Sequence, residues 1–324
     1  LKYFFTLLLI AISSLTLITG ETPLKEVITP LLNGSTEWNP LVDERLPRLI
    51  VLICTGASLA VSGAVMQALF HNPLASPSVL GVSCGGSLFV VIVFALELNH
   101  KTAIAVPIGA FLGALSTLLI VYNLSRRNGR VELNTLILTG IALSTLLLAI
   151  QGAIMYALRD KWQLIQMLTE WEAGSTADRS WKHVHMQLPL TLVALLVSFL
   201  YRKEIDILAL GEEEAKNLGV EVKKVRWRLF LCVALLTGGA IAGMGIIAFF
   251  GLVLPHLLRR FSGPSNKQLI PLCMLGGSAC LTTLDFLLRF FSIHAFSIGN
   301  VSAVLGGLFF LLLLFKTPLR TTPC

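Results

Sequence analysis

Apolar residues run along this chain in long unbroken stretches, separated by short polar breaks. Ten runs stand out: Tyr3–Gly20, Leu49–Phe70, Val79–Leu96, Thr102–Leu124, Leu133–Ala157, Val184–Tyr201, Leu229–Phe249, a short one at Gly251–Leu258, Leu269–Phe291 and Gly299–Phe315. A helix needs about 20 apolar residues to cross a bilayer. The runs are continuous rather than alternating, which excludes a membrane β-barrel. They predict an all-α polytopic membrane protein with about ten transmembrane helices, and residues 1–324 read as a single transmembrane domain. Only Lys2 precedes the first run and no small-x-small cleavage site follows it, so it is expected to be a retained helix rather than a signal peptide.

The runs are not uniform. Gly56–Ala64 reads G-A-S-L-A-V-S-G-A, Gly109, Gly113 and Ala114 recur in the fourth run, and Thr237–Gly245 reads T-G-G-A-I-A-G-M-G. Small residues let helix backbones approach closely, so a tightly packed bundle is expected. The second and third runs are separated by His71-Asn72-Pro73-Leu74-Ala75-Ser76-Pro77, where two prolines forbid a continuous helix. Asn72 and Ser83 beside this break read as helix-end caps or as neighbours of a pathway, with capping favoured.

Composition sharpens this picture. The 324 residues are 55% hydrophobic and 13% charged, and mean hydropathy is +0.80. Soluble domains average about 25% charged, which argues against a soluble protein. The net charge of +7 then reads as topology rather than nucleic-acid binding. Of the 25 basic residues, 16 fall on the side of the N-terminus, including the cluster from Arg202 to Arg228. That asymmetry predicts cytoplasmic termini and a cytoplasmic central loop. Cys54, Cys84, Cys232, Cys273 and Cys280 lie in apolar runs and read as small buried residues; Cys324 is terminal and lacks a lipidation motif. Only His183 and His185 are close among scattered histidines, and no metal site is expected.

One polar stretch interrupts the pattern, Ile205–Val220. Gly211 breaks what precedes it, Glu212, Glu213 and Glu214 favour a helix N-terminus, Lys216 its last turn, and Gly219 a left-handed cap. Ala215 and Leu218 are three apart, which would put them on one face. The segment is too short to span and reads either as a docking element or as a solvated loop helix.

Arg45, Arg48 and Arg289 sit at outer span ends, against the topological bias. They read equally as a fork for an acidic partner and as lipid-headgroup anchors. Asp285 and Arg289 are four apart on one helix, and pairing along that face is favoured over an ion relay.

Several stretches in order match a known family: R-L-P-R (45–48), S-G-A-V-M-Q-A-L-F-H-N-P-L-A-S-P-S-V-L-G-V (62–82), L-T-G-I-A-L (138–143), W-E-A-G-S (171–175), A-L-G-E-E-E-A-K-N-L-G-V (209–220), I-A-F-F-G-L-V-L-P-H-L-L-R (247–259) and D-F-L-L-R (285–289). From about Arg45 to Phe315 the chain resembles the FecCD-type permeases, the membrane subunits of type II ABC importers. The resemblance implies the type II importer permease fold of ten helices, and a dimer with itself or with a homologous permease. It implies two ATPase subunits carrying ATP and Mg on the cytoplasmic face, and a periplasmic or lipid-anchored substrate-binding protein outside. It implies a multi-pass subunit of the cell inner membrane, binding no cofactor itself. The matching ATPase-coupling residues are Leu210, Gly211, Glu212, Glu213, Glu214, Ala215, Leu218 and Gly219. The matching docking arginines are Arg45, Arg48 and Arg289, and the matching cytoplasmic gate is Glu132, Leu133 and Asn134. The chain departs from the family's Glu-x-Pro-x-Gly turn at Ala295–Gly299, and its gate lacks small hydroxyl residues.

A ferric siderophore is the expected cargo, with haem, cobalamin or an oxyanion as alternatives of the same class. An ion-coupled secondary transporter would need paired acidic residues in its spans. No Walker motif, H-E-x-x-H or nucleophile–base pair marks an enzyme, so ATP hydrolysis is expected on another chain.

Overall fold

The computed structural model describes residues 1–20, 22–32, 38–102, 104–127, 130–177, 179–263, 265–293 and 296–316. Ala295 and Cys324, named above, lie outside them. Fifteen α-helices follow in order among these residues: α1 (Lys2–Ile18), α2 (Leu24–Leu32), α3 (Leu46–Leu69), α4 (Val82–Ala95), α5 (Leu98–Lys101), α6 (Ala105–Leu124), α7 (Leu133–Ala157), α8 (Trp162–Glu172), α9 (Trp181–Leu200), α10 (Arg202–Leu208), α11 (Glu212–Asn217), α12 (Val222–Met244), α13 (Phe250–Ser262), α14 (Asn266–Phe290) and α15 (Ile298–Lys316). A π turn, Pro40–Arg45, leads into α3, and a two-residue antiparallel pair, β1 (Arg126–Arg127) and β2 (Arg130–Val131), precedes α7.

Each of the ten apolar runs became one helix: α1, α3, α4, α6, α7, α9, α12, α13, α14 and α15. Six of them are long and apolar enough to cross a membrane, and α1, α4 and α15 are shorter apolar helices. The largest boundary difference is at α12, which begins seven residues before the apolar run. Its first turns carry Lys223, Lys224, Arg226 and Arg228, so hydropathy could not see them as helix. The helix α8 was not foreseen, because it is amphipathic and only 11 residues long.

Glycines set the closest packing, as the small-residue pattern predicts. A methyl group on Gly56 of α3 would collide with the Gly277 carbonyl of α14, and one on Gly277 with the Gly56 carbonyl. Gly63 meets the backbone of Gly251 in α13 in the same way, and Gly113 of α6 meets Gly85 of α4. The helix α3 is therefore central, with 89% of its apolar window buried. At the other extreme only 11% of the α7 window is buried, which leaves that helix facing lipid or another chain.

At the proline break, the Asn72 side chain accepts a hydrogen bond from the Leu74 amide at 2.9 Å. This is a local turn within the break rather than the helix-end cap expected of Asn72, since the flanking helices end at Phe70 and begin at Gly81. Gly81, at φ 74°, then starts α4.

Candidate functional site

Two polar clusters lie at opposite ends of the apolar bundle. The first surrounds α10 and α11. Gly211, at φ 135°, makes the bend between them, and Gly219, at φ 82°, closes α11. Either value is strained for a residue with a Cβ. The Val220 amide donates to the Ala215 carbonyl and the Gly219 amide to the Lys216 carbonyl, a Schellman-type cap. Thus the predicted helix, its acidic first turn and its glycine ends are all present. The predicted shared face is not. Ala215 is fully buried, whereas Leu218 lies past the last turn and is 62% exposed. Leu210 is exposed too, so α11 is flanked by two apolar side chains pointing away from the bundle.

Three polar ties hold this segment to the bundle. Glu212 accepts from Arg226 of α12 at 2.9 Å, and Arg226 donates its other nitrogen to the Tyr122 hydroxyl of α6 at 2.8 Å. Asp206 of α10 accepts from both the backbone and the side-chain amide of Asn266 at 2.7 Å, and from Ser265 at 3.2 Å, which caps the start of α14. The His71 ring contacts the Leu208 carbonyl, joining the proline break to the end of α10. Burial alone would raise the Glu212 carboxyl, but the hydrogen bond and charge of Arg226, then those of Lys216, outweigh it and hold the group below its usual value. A cavity of about 330 Å³ lies between Phe70, His71, Gly211 and Arg226.

The second cluster centres on Asp285, which is almost fully buried. Asp285 accepts from Arg48 of α3 at 2.9 Å, from Arg289 of its own helix at 2.9 Å and from Thr176 at 2.7 Å. The i,i+4 pair expected from sequence is there, and Arg48 joins it from 237 residues away. Arg48 Nε and one Arg289 nitrogen are buried without a hydrogen-bond partner. Both arginines border a cavity of about 1000 Å³.

Arg45 departs from the expectation. It is 5% exposed and donates to the carbonyls of Leu17, Ile18 and Thr22. The end of α1 offers it unsatisfied carbonyls, and a guanidinium is a natural cap for them. Its guanidinium is thus turned to the end of α1, whereas Arg48 and Arg289 keep more of their surface on the wall of the cavity that all three line.

The W-E-A-G-S stretch supplies the floor beneath this cavity. Ser297 donates to the Ala173 carbonyl at 2.6 Å, the Ser175 amide to the Met244 carbonyl at 3.1 Å, and Gly174 sits at φ 76°. Glu172 of the same stretch accepts from Ser87 of α4 at 3.3 Å, and burial pushes its carboxyl above the usual range against that bond.

At the expected gate, Glu132 caps the start of α7 and accepts from Thr135 at 2.9 Å. Glu132 and Asn134 are exposed, whereas the Leu133 side chain lies outside what the structure describes.

Sequence reasoning missed the tie of Glu212 to Arg226 and Tyr122, and that of Asp206 to Asn266. No local spacing links them, because they meet only through the tertiary fold.

An apolar multi-helix bundle, with a short helix tied to it at one end and a polar cavity at the other, defines a polytopic helical membrane protein. The chain matches the FecCD transport family over residues 6–316. It is 36% identical to the hemin transport system permease HmuU of Yersinia pestis, over 88% of this chain and 87% of that one. It is 37% identical to the vitamin B12 import permease BtuC of Vibrio vulnificus, over 95% and 92%, and 33% identical to the Fe(3+) dicitrate permease FecD of Escherichia coli K12, over 98% of each. A solved chain described as a metal-chelate type ABC transporter, in an inward-facing conformation, superposes with a TM-score of 0.82 at 27% identity, covering 98% of this chain and 99% of that one. The chain belongs to the FecCD transport family, and it is an ABC-importer permease.

Proposed function

We propose that this permease passes a ferric chelate, with a ferric siderophore as its cargo, driven by ATP hydrolysis on a partner subunit. Two of the three relatives above are named for iron carried in an organic ligand, hemin and ferric dicitrate, which supports the chelate class. The observation that carries the coupling assignment is α11. It is anchored to the bundle on one side and presents Leu210 and Leu218 on the other, the arrangement needed to seat in an ATPase cleft. On this reading α11 and both termini lie in the cytoplasm and the Asp285 cluster lies outside, in the cell inner membrane. Arg48 and Arg289, whose guanidiniums keep part of their surface on the cavity wall, then meet carboxylates of a substrate-binding protein. A second copy, or a homologous permease, covers the bare face of α7. Glu132, Leu133 and Asn134, at the start of that helix, stand at the cytoplasmic mouth.

The experiment is ATP hydrolysis by the permease reconstituted with its ATPase in lipid, with binding proteins loaded with ferric siderophore, haem or cobalamin. Stimulation by the ferric-siderophore form alone supports the proposal. Stimulation by haem or cobalamin alone keeps the class and overturns the cargo. Failure to assemble with any ATPase overturns the coupling reading and favours an ion-driven carrier.

A further inference from the structure

The force that an ATPase exerts on α11 has to reach the long helices through specific contacts, and the structure holds few that could carry it. Within α11 itself, Ala215 is the only buried residue. Its methyl group is small, and apolar contact is non-directional, so this seat alone would let α11 slide or tilt without dragging its neighbours. The polar ties are different. They are directional and sit in largely buried surroundings, where a broken hydrogen bond to a charged group is costly. Arg226 is 8% exposed and bridges three elements at once, with Glu212 of α11 on one nitrogen and Tyr122 of α6 on another, while its stem belongs to α12. Tyr122 in turn packs edge-on against Phe230, one turn further along α12, and Phe230 stacks on Phe70 at the end of α3. Asp206 provides a second, separate connection, gripping the fully buried Asn266 at the start of α14.

We propose that Arg226 is the positioning residue that converts displacement of α11 into displacement of α12 and α6, with Asp206 serving the same purpose toward α14. The inference rests on the reading of Leu208–Val220 as the coupling segment and adds the route by which its motion enters the bundle. A Lys at position 226 keeps the charge but, as a single-point donor, cannot hold Glu212 and Tyr122 in one rigid fork. The clasp therefore depends on guanidinium geometry and not only on charge.

The test reads cargo transported per ATP hydrolysed, in proteoliposomes holding the full complex of permease, ATPase and binding protein. Arg226→Met keeps much of the apolar stem and removes the fork. It is expected to lower the ratio by about tenfold, within the range of measured coupling between sites. Arg226→Lys should fall between Met and the parent, and the exchanged pair Glu212→Arg with Arg226→Glu should recover part of the loss. Tyr122→Phe, a single-atom deletion, tests the second leg should Arg226→Met fail to assemble, and it should lower the ratio by a few-fold. A purely structural role reduces the amount of assembled complex while leaving the ratio at the parental value, and that result, in Arg226→Met or in Tyr122→Phe, overturns the proposal. Gly219→Val separates this failure from failure of the underlying reading. If Gly219→Val transports with parental coupling, the assignment of the coupling segment falls. If it uncouples while Arg226→Met and Tyr122→Phe do not, only the clasp falls.

Discussion

Asp285 offers the sharpest stability prediction. Its carboxylate is 3% exposed and holds two guanidiniums and one hydroxyl, between α3, α14 and the segment after α8. Asp285→Asn preserves size but removes the charge and turns one acceptor into a donor facing a guanidinium. Breaking a buried ion pair by removing one partner costs about 3–5 kcal/mol. Arg48 and Arg289 keep 16% and 24% of their side-chain surface on the cavity wall, so water relieves part of that cost. A net loss of about 3 kcal/mol follows once this relief is set against the weakened Thr176 bond. For a chain of this length that corresponds to a fall of about 5 °C in the thermal midpoint. The assay is thermal unfolding of the detergent-solubilised permease at one fixed heating rate, because membrane proteins of this size unfold irreversibly. Arg289→Met and Arg48→Met should each cost less than Asp285→Asn, since either leaves Asp285 with one cation and Thr176. Parental stability in Asp285→Asn, or a larger loss in either arginine variant, would refute the view that one shared carboxylate organises this end of the bundle.

Charge reversal separates the three outer arginines. Arg48→Glu and Arg289→Glu should weaken binding-protein docking in a salt-dependent way, measured by equilibrium binding at low and high ionic strength, whereas Arg45→Glu should lower thermal stability and leave docking intact. Glu172 gives a pH prediction. Its folded-state value is raised by burial, so the stability linked to its protonated form is present below the ordinary glutamate value and is lost as pH rises through the raised one. Glu172→Gln should therefore raise the thermal midpoint at neutral pH and flatten its pH dependence through that window; a midpoint lowered by the change at neutral pH would count against it.

Much of the architecture was legible because the bilayer imposes a strong and local rule. Backbone groups in lipid must be satisfied within a helix, so each apolar run had one available structure. The caps of α11 were legible for a similar reason, since Gly211 and Gly219 and the three glutamates act within one or two turns. So was Asp285–Arg289, whose spacing alone brings the groups together. What escaped was long-range. Nothing near Arg48 points to Asp285, and nothing near Glu212 points past Lys216 to Arg226 and Tyr122. Arg45 and Arg48 are three residues apart at the start of one helix, yet one turns to the end of α1 and the other to α14. Sequence marks both as basic residues at a span end, and only the placement of neighbouring carbonyls and carboxylates separates their roles.

The two polar clusters share the same pair of helices. In α3, Arg48 belongs to the Asp285 cluster, while His71, just past its other end, contacts Leu208. In α14, Asn266 is held by Asp206 and, 19 residues on, Asp285 holds the arginines, which at about 1.5 Å per residue puts the clusters about 28 Å apart. Between those ends the two helices touch backbone to backbone at Gly56 and Gly277, where there is no side chain to yield. Apolar packing in a bilayer lacks a strong hydrophobic drive of its own, so close glycine contact and polar ends are what keep two such helices in register. The Asp206–Asn266 tie and the Asp285 cluster thus sit at the two ends of one helix that is seated on α3 between them. Pro271, inside the second turn of α14, removes one backbone donor from the helix ladder between the Asn266 end and the Gly277 contact, so the polar tie at Asp206 secures the end of α14 whose own ladder is weakest.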